Sequence, residues 1–325
     1  MLVNKPLLVF AALSMFTVGC DSDNGDSAQA ELEAQTQEIV ANLEVAGYPA
    51  SEIEVVDGYT VIVGGDAEVT LEASREIAGM RQVEATLDSD QEFRQYSTTN
   101  LVSSSVKTIC VNGSAYTGTL STALNNAIAN YNSQNLSFTM TRTSGSTVGC
   151  DAVIKANKVS GNGGEAGFPS GGLPYSQINI GTKIATYGTA VTTHVITHEL
   201  GHCIGFRHSD YYNRAISCGG SASNEGSAGI GANNIPGTPT TATANGSIMN
   251  SCFNLGSTGV WTSTDVTALD VLYGDNGGGG GGGGGPQVSP TSCYGACGGN
   301  AGQCWCDSSC AQYGDCCADK ANYCG

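Results

Sequence analysis

Thr197 to Ser209, reading T-H-E-L-G-H-C-I-G-F-R-H-S, constrains this chain more than any other stretch. On a helix, residues i and i+4 share a face, so His198 and His202 can aim two imidazoles at one metal ion. Glu199 lies beside that face, where its carboxylate can reach a water at the metal without taking a ligand position. Gly205 stands three residues past His202, where a chain leaving a helix often needs the positive φ that glycine adopts cheaply. The turn then returns His208 as a third ligand. Three protein ligands and one open position distinguish catalytic from structural zinc. Of the four histidines in the chain, three occupy these positions. His194 lies one turn before His198, outside the pattern, and reads as a packing residue or a support for a ligand. Val191, Thr192, Thr193, Val195, Ile196 and Thr197 are β-branched and by propensity favour a strand. The ligand spacing nonetheless requires a helix, with Thr189 as its cap.

The complete pattern, H-E-x-x-H-x-x-G-x-x-H, resembles that of the metzincin metalloproteases. The resemblance covers roughly residues 99–275. It implies an α+β catalytic domain with a twisted mixed sheet, a zinc-binding active-site helix and a cleft between two subdomains. It further implies one catalytic Zn2+ held by His198, His202 and His208, with Glu199 as general base in peptide-bond hydrolysis. Met249, in G-S-I-M-N-S at 246–251, is placed to be the Met-turn methionine beneath the metal. Astacins carry an extra tyrosine ligand shortly after that methionine. Here Asn250-Ser251-Cys252-Phe253 follow, so no such ligand is assigned. Ser209 after the last histidine leans toward matrixin-like typing. G-A-N-N-I-P-G-T-P-T at 231–240 resembles a loop of the dual-action metalloproteases, a bacterial branch of the clan. Structural calcium is left open.

At 325 residues the chain has room for two or three domains. Residues 1–20 read as a signal peptide, since Lys5 gives a positive start and the apolar run Pro6 to Val18 is too short for a stop-transfer helix. Its end, T-V-G-C, resembles a bacterial lipoprotein cleavage site with Cys20 as the lipidated residue. Thr17 replaces the usual aliphatic residue there, which keeps an ordinary secretory signal as the other reading. Either route exports the protein, secreted or attached to the outer surface or periplasmic side, with membrane contact only through the lipid. The 14 cysteines suit an oxidising destination. The net charge of −17 is concentrated in residues 21–100, which hold 18 acidic and 3 basic residues, against 11 and 8 in residues 101–325. No basic patch suggests nucleic acid.

The acidic segment, 21–98, reads as a propeptide. Apolar residues at helical spacing predict a helix over Glu31–Ala46, strands around the Asp57-Gly58 turn and a second helix over Leu71–Met80. V-G-G-D at 63–66 resembles the F-x-G-D element of astacin propeptides, whose aspartate takes the open zinc position. Carried over, Asp66 is a zinc latch; Val63 stands in place of the phenylalanine, and a plain Gly-Gly-Asp turn is the competing reading.

Beyond residue 98 the sequence predicts strands at Val106–Val111, Leu136–Thr141, Ala152–Ala156 and Ser176–Ile180, a helix at Leu120–Tyr131 and a Gly/Pro-rich loop at 160–174. Gln177 to Ile180 is the candidate edge strand for holding an extended substrate. Trp261 to Tyr273 closes the domain as a helix, with Thr264 or Asp265 near its start. One pairing of the five cysteines here joins Cys110 to Cys150 and Cys218 to Cys252, leaving Cys203 a buried thiol; spacing does not fix it.

Residues 276–292 form a linker containing an unbroken glycine run, Gly277 to Gly285. Eight cysteines then fall within 293–325 in a pattern resembling the somatomedin B domain, a small disulfide-stapled module. Binding another protein and capping the chain are equally open to it. The whole reads as an exported zinc endopeptidase acting on proteins or peptides and made as a latent precursor. A surface binding protein reusing the zinc fold and the somatomedin-B-like module is the alternative, and the intact Glu199 counts against it. A zinc hydrolase of a non-peptide bond is third.

Overall fold

The structure is a computed structural model that describes residues 23–84, 95–225, 233–239 and 241–275. The signal segment with Cys20, the glycine run and the eight-cysteine module lie outside the described residues.

The acidic segment folds around a small core of its own. Helix α1 (Asp23–Val45) begins earlier than its apolar spacing suggests and buries Ile39 and Leu43. Strands β1 (Ile53–Val56) and β2 (Thr60–Val63) form an antiparallel hairpin. Positive φ at Asp57 (54°) and Gly58 (80°) gives the turn a twist that matches its strands. Strand β3 (Ala67–Glu68) and helix α2 (Leu71–Glu84) complete the unit. Val61, Val63 and Ile77 pack with Leu43, and Phe168 from the main body inserts among them.

The main body begins with β4 (Tyr96–Ser97), followed by β5 (Thr108–Asn112), α3 (Gly118–Asn132), β6 (Thr139–Thr143), β7 (Ala152–Val159), β8 (Gly164–Gly167), β9 (Gln177–Gly181) and α4 (Thr189–Cys203). A short α5 (Ala215–Cys218), β10 (Asn233–Asn234) and α6 (Ser263–Tyr273) follow. Strands β6, β5, β7 and β9 run parallel, and β8 joins β9 antiparallel, which gives the mixed sheet of an α+β domain. Disulfides join Cys110 to Cys150 and Cys218 to Cys252, and Cys203 is a buried thiol.

Two expectations are corrected. First, β9 is interior, between β7 and β8, and the edge of the body's sheet is β8, inside the expected loop. Its sequence, Gly-Glu-Ala-Gly, has neither β-branched residues nor alternation. Glycine is there for space: a Cβ on Gly164 would sit 2.2 Å from a Glu199 carboxylate oxygen, and one on Gly167 2.6 Å from the Glu68 carbonyl. Second, Thr189 is the first helical residue of α4, and Gly188 precedes it without a side-chain cap. The β-branched helix is held by burial of every residue from Val191 to Cys203, which overrides propensity. Thr192 and Thr197 donate their hydroxyls to the carbonyls of Gly188 and Thr193, at 2.7 and 2.8 Å. Residues 95–98 also make backbone contacts with the main body. Tyr96 and Ser97 pair with β10, and the Arg207 and Thr98 amides bond the Tyr96 and Gly205 carbonyls.

Asp265 ties these parts together. Helix α6 is capped by Thr262, whose hydroxyl accepts from the Asp265 amide while its own amide donates to the Asp265 carboxylate. That buried carboxylate also accepts from Gln95 Nε2 (2.8 Å), Ser247 Oγ (2.6 Å) and the Ile248 amide (3.0 Å). Asp265→Ala leaves these donors buried without an acceptor. The expected cost is about 3 kcal/mol or more, read as a fall in Tm of about 10 °C by calorimetry.

Candidate metal centre

His198 and His202 project from one face of α4. Gly205, at φ 106°, turns the chain so that His208 faces them. The Nε2 atoms of His198 and His202 lie 3.0 Å apart, and those of His198 and His208 3.2 Å. Each ring is fixed through its other nitrogen. His198 Nδ1 donates to the Ile248 carbonyl and His202 Nδ1 to the Phe206 carbonyl, both at 2.8 Å, and His208 Nδ1 donates to Glu225 Oε1 at 2.6 Å. A neutral imidazole that donates from Nδ1 carries a lone pair on Nε2. Three lone pairs aimed at one another are stable only around a cation.

Asp66 supplies a fourth donor. Its Oδ2 lies 3.1 Å from His208 Nε2 and 3.6 Å from His198 Nε2, and its Oδ1 lies 3.6 Å from His202 Nε2. The four candidate ligand atoms fall within 4.8 Å of one another. Asp66 Oδ1 is buried and accepts no hydrogen bond. This nitrogen and oxygen set suits zinc, and an unsatisfied carboxylate oxygen beside three imidazoles is where a metal fits. Burial opposes ionisation of Asp66, yet the imidazoles, His208 foremost, hold its carboxyl well below the usual range.

The backbone delivers that carboxylate. Gly64 and Gly65 both take positive φ, and the Asp66 carbonyl accepts from the Ala166 amide at 2.8 Å. Strand β3 then pairs parallel with β8, Ala67 opposite Ala166, so the acidic segment covers the sheet edge.

Glu199 is buried beside the cluster, and its Oε2 has no hydrogen-bond partner. Burial, with Asp66 second, pushes its carboxyl well above the usual range. Met249 lies under α4, where a Cβ on Gly201 would stand 2.6 Å from its sulfur. Ser209 fastens the end of the motif to that turn, its amide donating to the Met249 carbonyl at 2.7 Å and its hydroxyl accepting from Asn250 Nδ2 at 2.9 Å. His194 is buried in the helix and lines a cavity next to His198; burial pushes its pKa down to about 3.

Sequence reasoning missed Glu225, Arg207 and Arg214. Glu225 Oε2 lies 3.6 Å from Arg207, and its Oε1 lies 3.3 Å from Arg214 while accepting from His208. A signal existed: Glu225 and Arg214 are the sole acidic and basic residues in the Gly/Ser-rich stretch 211–245. Glu225→Gln should loosen the His208 ring and weaken zinc binding about 10- to 100-fold, measured by competition with a chelator.

The sequence model of the dual-action HEIGH metallo-peptidases matches residues 61–273. Among solved structures, myroilysin aligns at 14% identity and a TM-score of 0.34, covering 55% of this chain and 98% of its own. High choriolytic enzyme 1, a hatching-enzyme zinc-protease from the medaka fish Oryzias latipes, aligns at 18% identity and a TM-score of 0.32, covering 54% of this chain and 98% of its own. No curated protein matches. The family match starts in β2, before Asp66, and ends with α6, and it takes in the His198-Glu199-Leu200-Gly201-His202 pentapeptide and Met249. Spanning more than half of the sequence, it shows that this chain belongs to the dual-action HEIGH metallopeptidases, a family of zinc enzymes.

Proposed function

We propose that the chain is an exported zinc endopeptidase made as a latent precursor and switched on when its acidic segment is removed. The observation that carries this reading is Asp66, whose carboxylate faces all three imidazoles from 3.1 to 3.6 Å, beside a buried Glu199. His198, His202 and His208 would hold the metal. When bound, zinc polarises a carbonyl and lowers the pKa of a water ligand to about 7.

The protein's own residues do the rest. Departure of β3 frees the β8 edge, along which an extended peptide pairs through its backbone. Departure of Asp66 frees the position facing the three nitrogens. It also removes one of the influences that hold the Glu199 carboxyl high, which favours the ionised form that can accept a proton. Glu199 takes a proton from the attacking water as the new C–O bond forms. It then gives that proton to the leaving amine as the C–N bond breaks. Met249 and Ser209 keep the floor beneath the ligands fixed.

On this reading the enzyme body includes Gln95 to Thr98, because their hydrogen bonds to Asp265, Arg207 and Gly205 hold the motif turn. The two disulfides support an oxidising destination outside the cytoplasm. If Cys20 carries a lipid, removal of the propeptide also frees the enzyme from the membrane. The C-terminal cysteine module is then a tethered unit free to bind another protein.

Glu199→Gln should retain one zinc per chain by elemental analysis and lose at least about a hundredfold in turnover of a protein substrate. Asp66→Ala should make the unprocessed chain proteolytically active; unchanged latency would sink the latch assignment.

A further inference from the structure

The cavity beside the metal cluster carries a charge that the acidic segment masks. Gly164, His198, Glu199, Arg214 and Phe253 of the main body line it, together with Gly65 and Asp66 of the acidic segment. At about 170 Å³ it has room for several waters, or for one substrate side chain next to the bond being cut.

Arg214 is held by two carboxylates. Its Nη1 lies 3.4 Å from Glu52 Oε2, and its Nε lies 3.3 Å from Glu225 Oε1. Glu225 is already committed to His208 and Arg207. Glu52 belongs to the acidic segment, as does Gly65, where a Cβ would stand 3.1 Å from Arg214 Nη2. The same segment lays the Tyr48 ring over Arg207, 4.6 Å from the guanidinium carbon. When the segment leaves, Asp66 and Glu52 go with it while Arg207 and Arg214 stay. Arg214 then faces the pocket with only a shared counter-ion.

We infer that Arg214 makes this enzyme select substrates with an acidic side chain, Asp or Glu, in the residue that enters this pocket. The inference rests on the peptidase reading and names its substrate class. A planar guanidinium suits the task, because its fork takes a carboxylate through two parallel hydrogen bonds. In the uncleaved chain Glu52 occupies Arg214 as the substrate's side-chain carboxylate does later, and Asp66 stands where the substrate's reacting carbonyl is placed. The propeptide thus mimics two parts of one substrate.

The test uses the zinc-loaded full chain after proteolytic removal of its propeptide. Cleavage positions are mapped by mass spectrometry in a peptide mixture, and matched peptides are made with Glu, Gln or Lys at the position entering the pocket. The expected kcat/KM is at least about tenfold higher for Glu than for Gln, and lowest for Lys. Arg214→Gln should bring the Glu-to-Gln ratio to about one, and Arg214→Glu should turn the preference toward Lys. Both are ratios within one protein, which partial misfolding does not mimic. In the unprocessed chain, Glu52→Gln should weaken latency, a check that leaves Arg214 intact. A wild-type ratio near one, with peptides still cut, overturns the inference and leaves the peptidase reading standing. Failure to cut any peptide overturns that reading, and this inference with it.

Discussion

Three imidazole lone pairs converge on one point because each ring is pinned from behind. The pins come from different parts of the chain: the Ile248 carbonyl in the methionine turn, the Phe206 carbonyl after the Gly205 turn, and Glu225 in the loop beyond. Each pin has its own support. Ile248 is held through its amide by Asp265, which also gathers Gln95, Ser247 and Thr262. The residues around Phe206 are held by Tyr96 and Thr98, and Glu225 by Arg207 and Arg214. The donor set is thus oriented by hydrogen bonds that reach it from separate parts of the chain, which fixes the rings for a metal.

On the proposed reading, latency uses the same surfaces that catalysis would need. The acidic segment contributes a strand to the β8 edge and a carboxylate to the three nitrogens, and these are two independent physical interactions. It has a small core of its own, so it presents both contacts as a folded unit, with Phe168 of the main body as the shared anchor. Strand pairing over two residues is weak alone. The Asp66 cluster and the Glu52–Arg214 contact supply charge where the strand supplies only shape. Parallel pairing also sets the direction of the covering strand, and the site receives a side-chain carboxylate where a substrate would offer a backbone carbonyl.

Much of this was legible in the sequence where spacing itself carries physics. The i, i+4 histidines, the glycine at the turn and the returning third histidine belong together for geometric reasons, and the structure places them within one cluster. Strands β5, β6, β7 and β9 and helices α3 and α6 overlap the segments expected of them. What escaped notice did so for identifiable reasons. Strand β8 is made of residues chosen for how close the backbone must come to Glu199, so it carries no strand signal. Gly188 precedes α4 where a hydroxyl cap was expected, while Asp265, expected near the start of α6, forms its capping box with Thr262. Glu225 pairs with His208 and with Arg207, and pairings across 17 and 18 residues leave no periodic trace. Asp66 was visible through a short resemblance, and only the fold brings it to the histidines across 132 to 142 residues of chain.

The central claim is that the uncleaved chain holds zinc with three imidazoles and keeps the remaining position filled by its own carboxylate. X-ray absorption at the zinc edge of the intact, full-length protein tests it most directly, compared with the Asp66→Ala variant. The account predicts three imidazole nitrogens and a carboxylate oxygen in the intact protein, with the carboxylate signature lost in the variant and the imidazoles retained. Identical spectra for the two proteins, a thiolate in the ligand set or no bound zinc would contradict it.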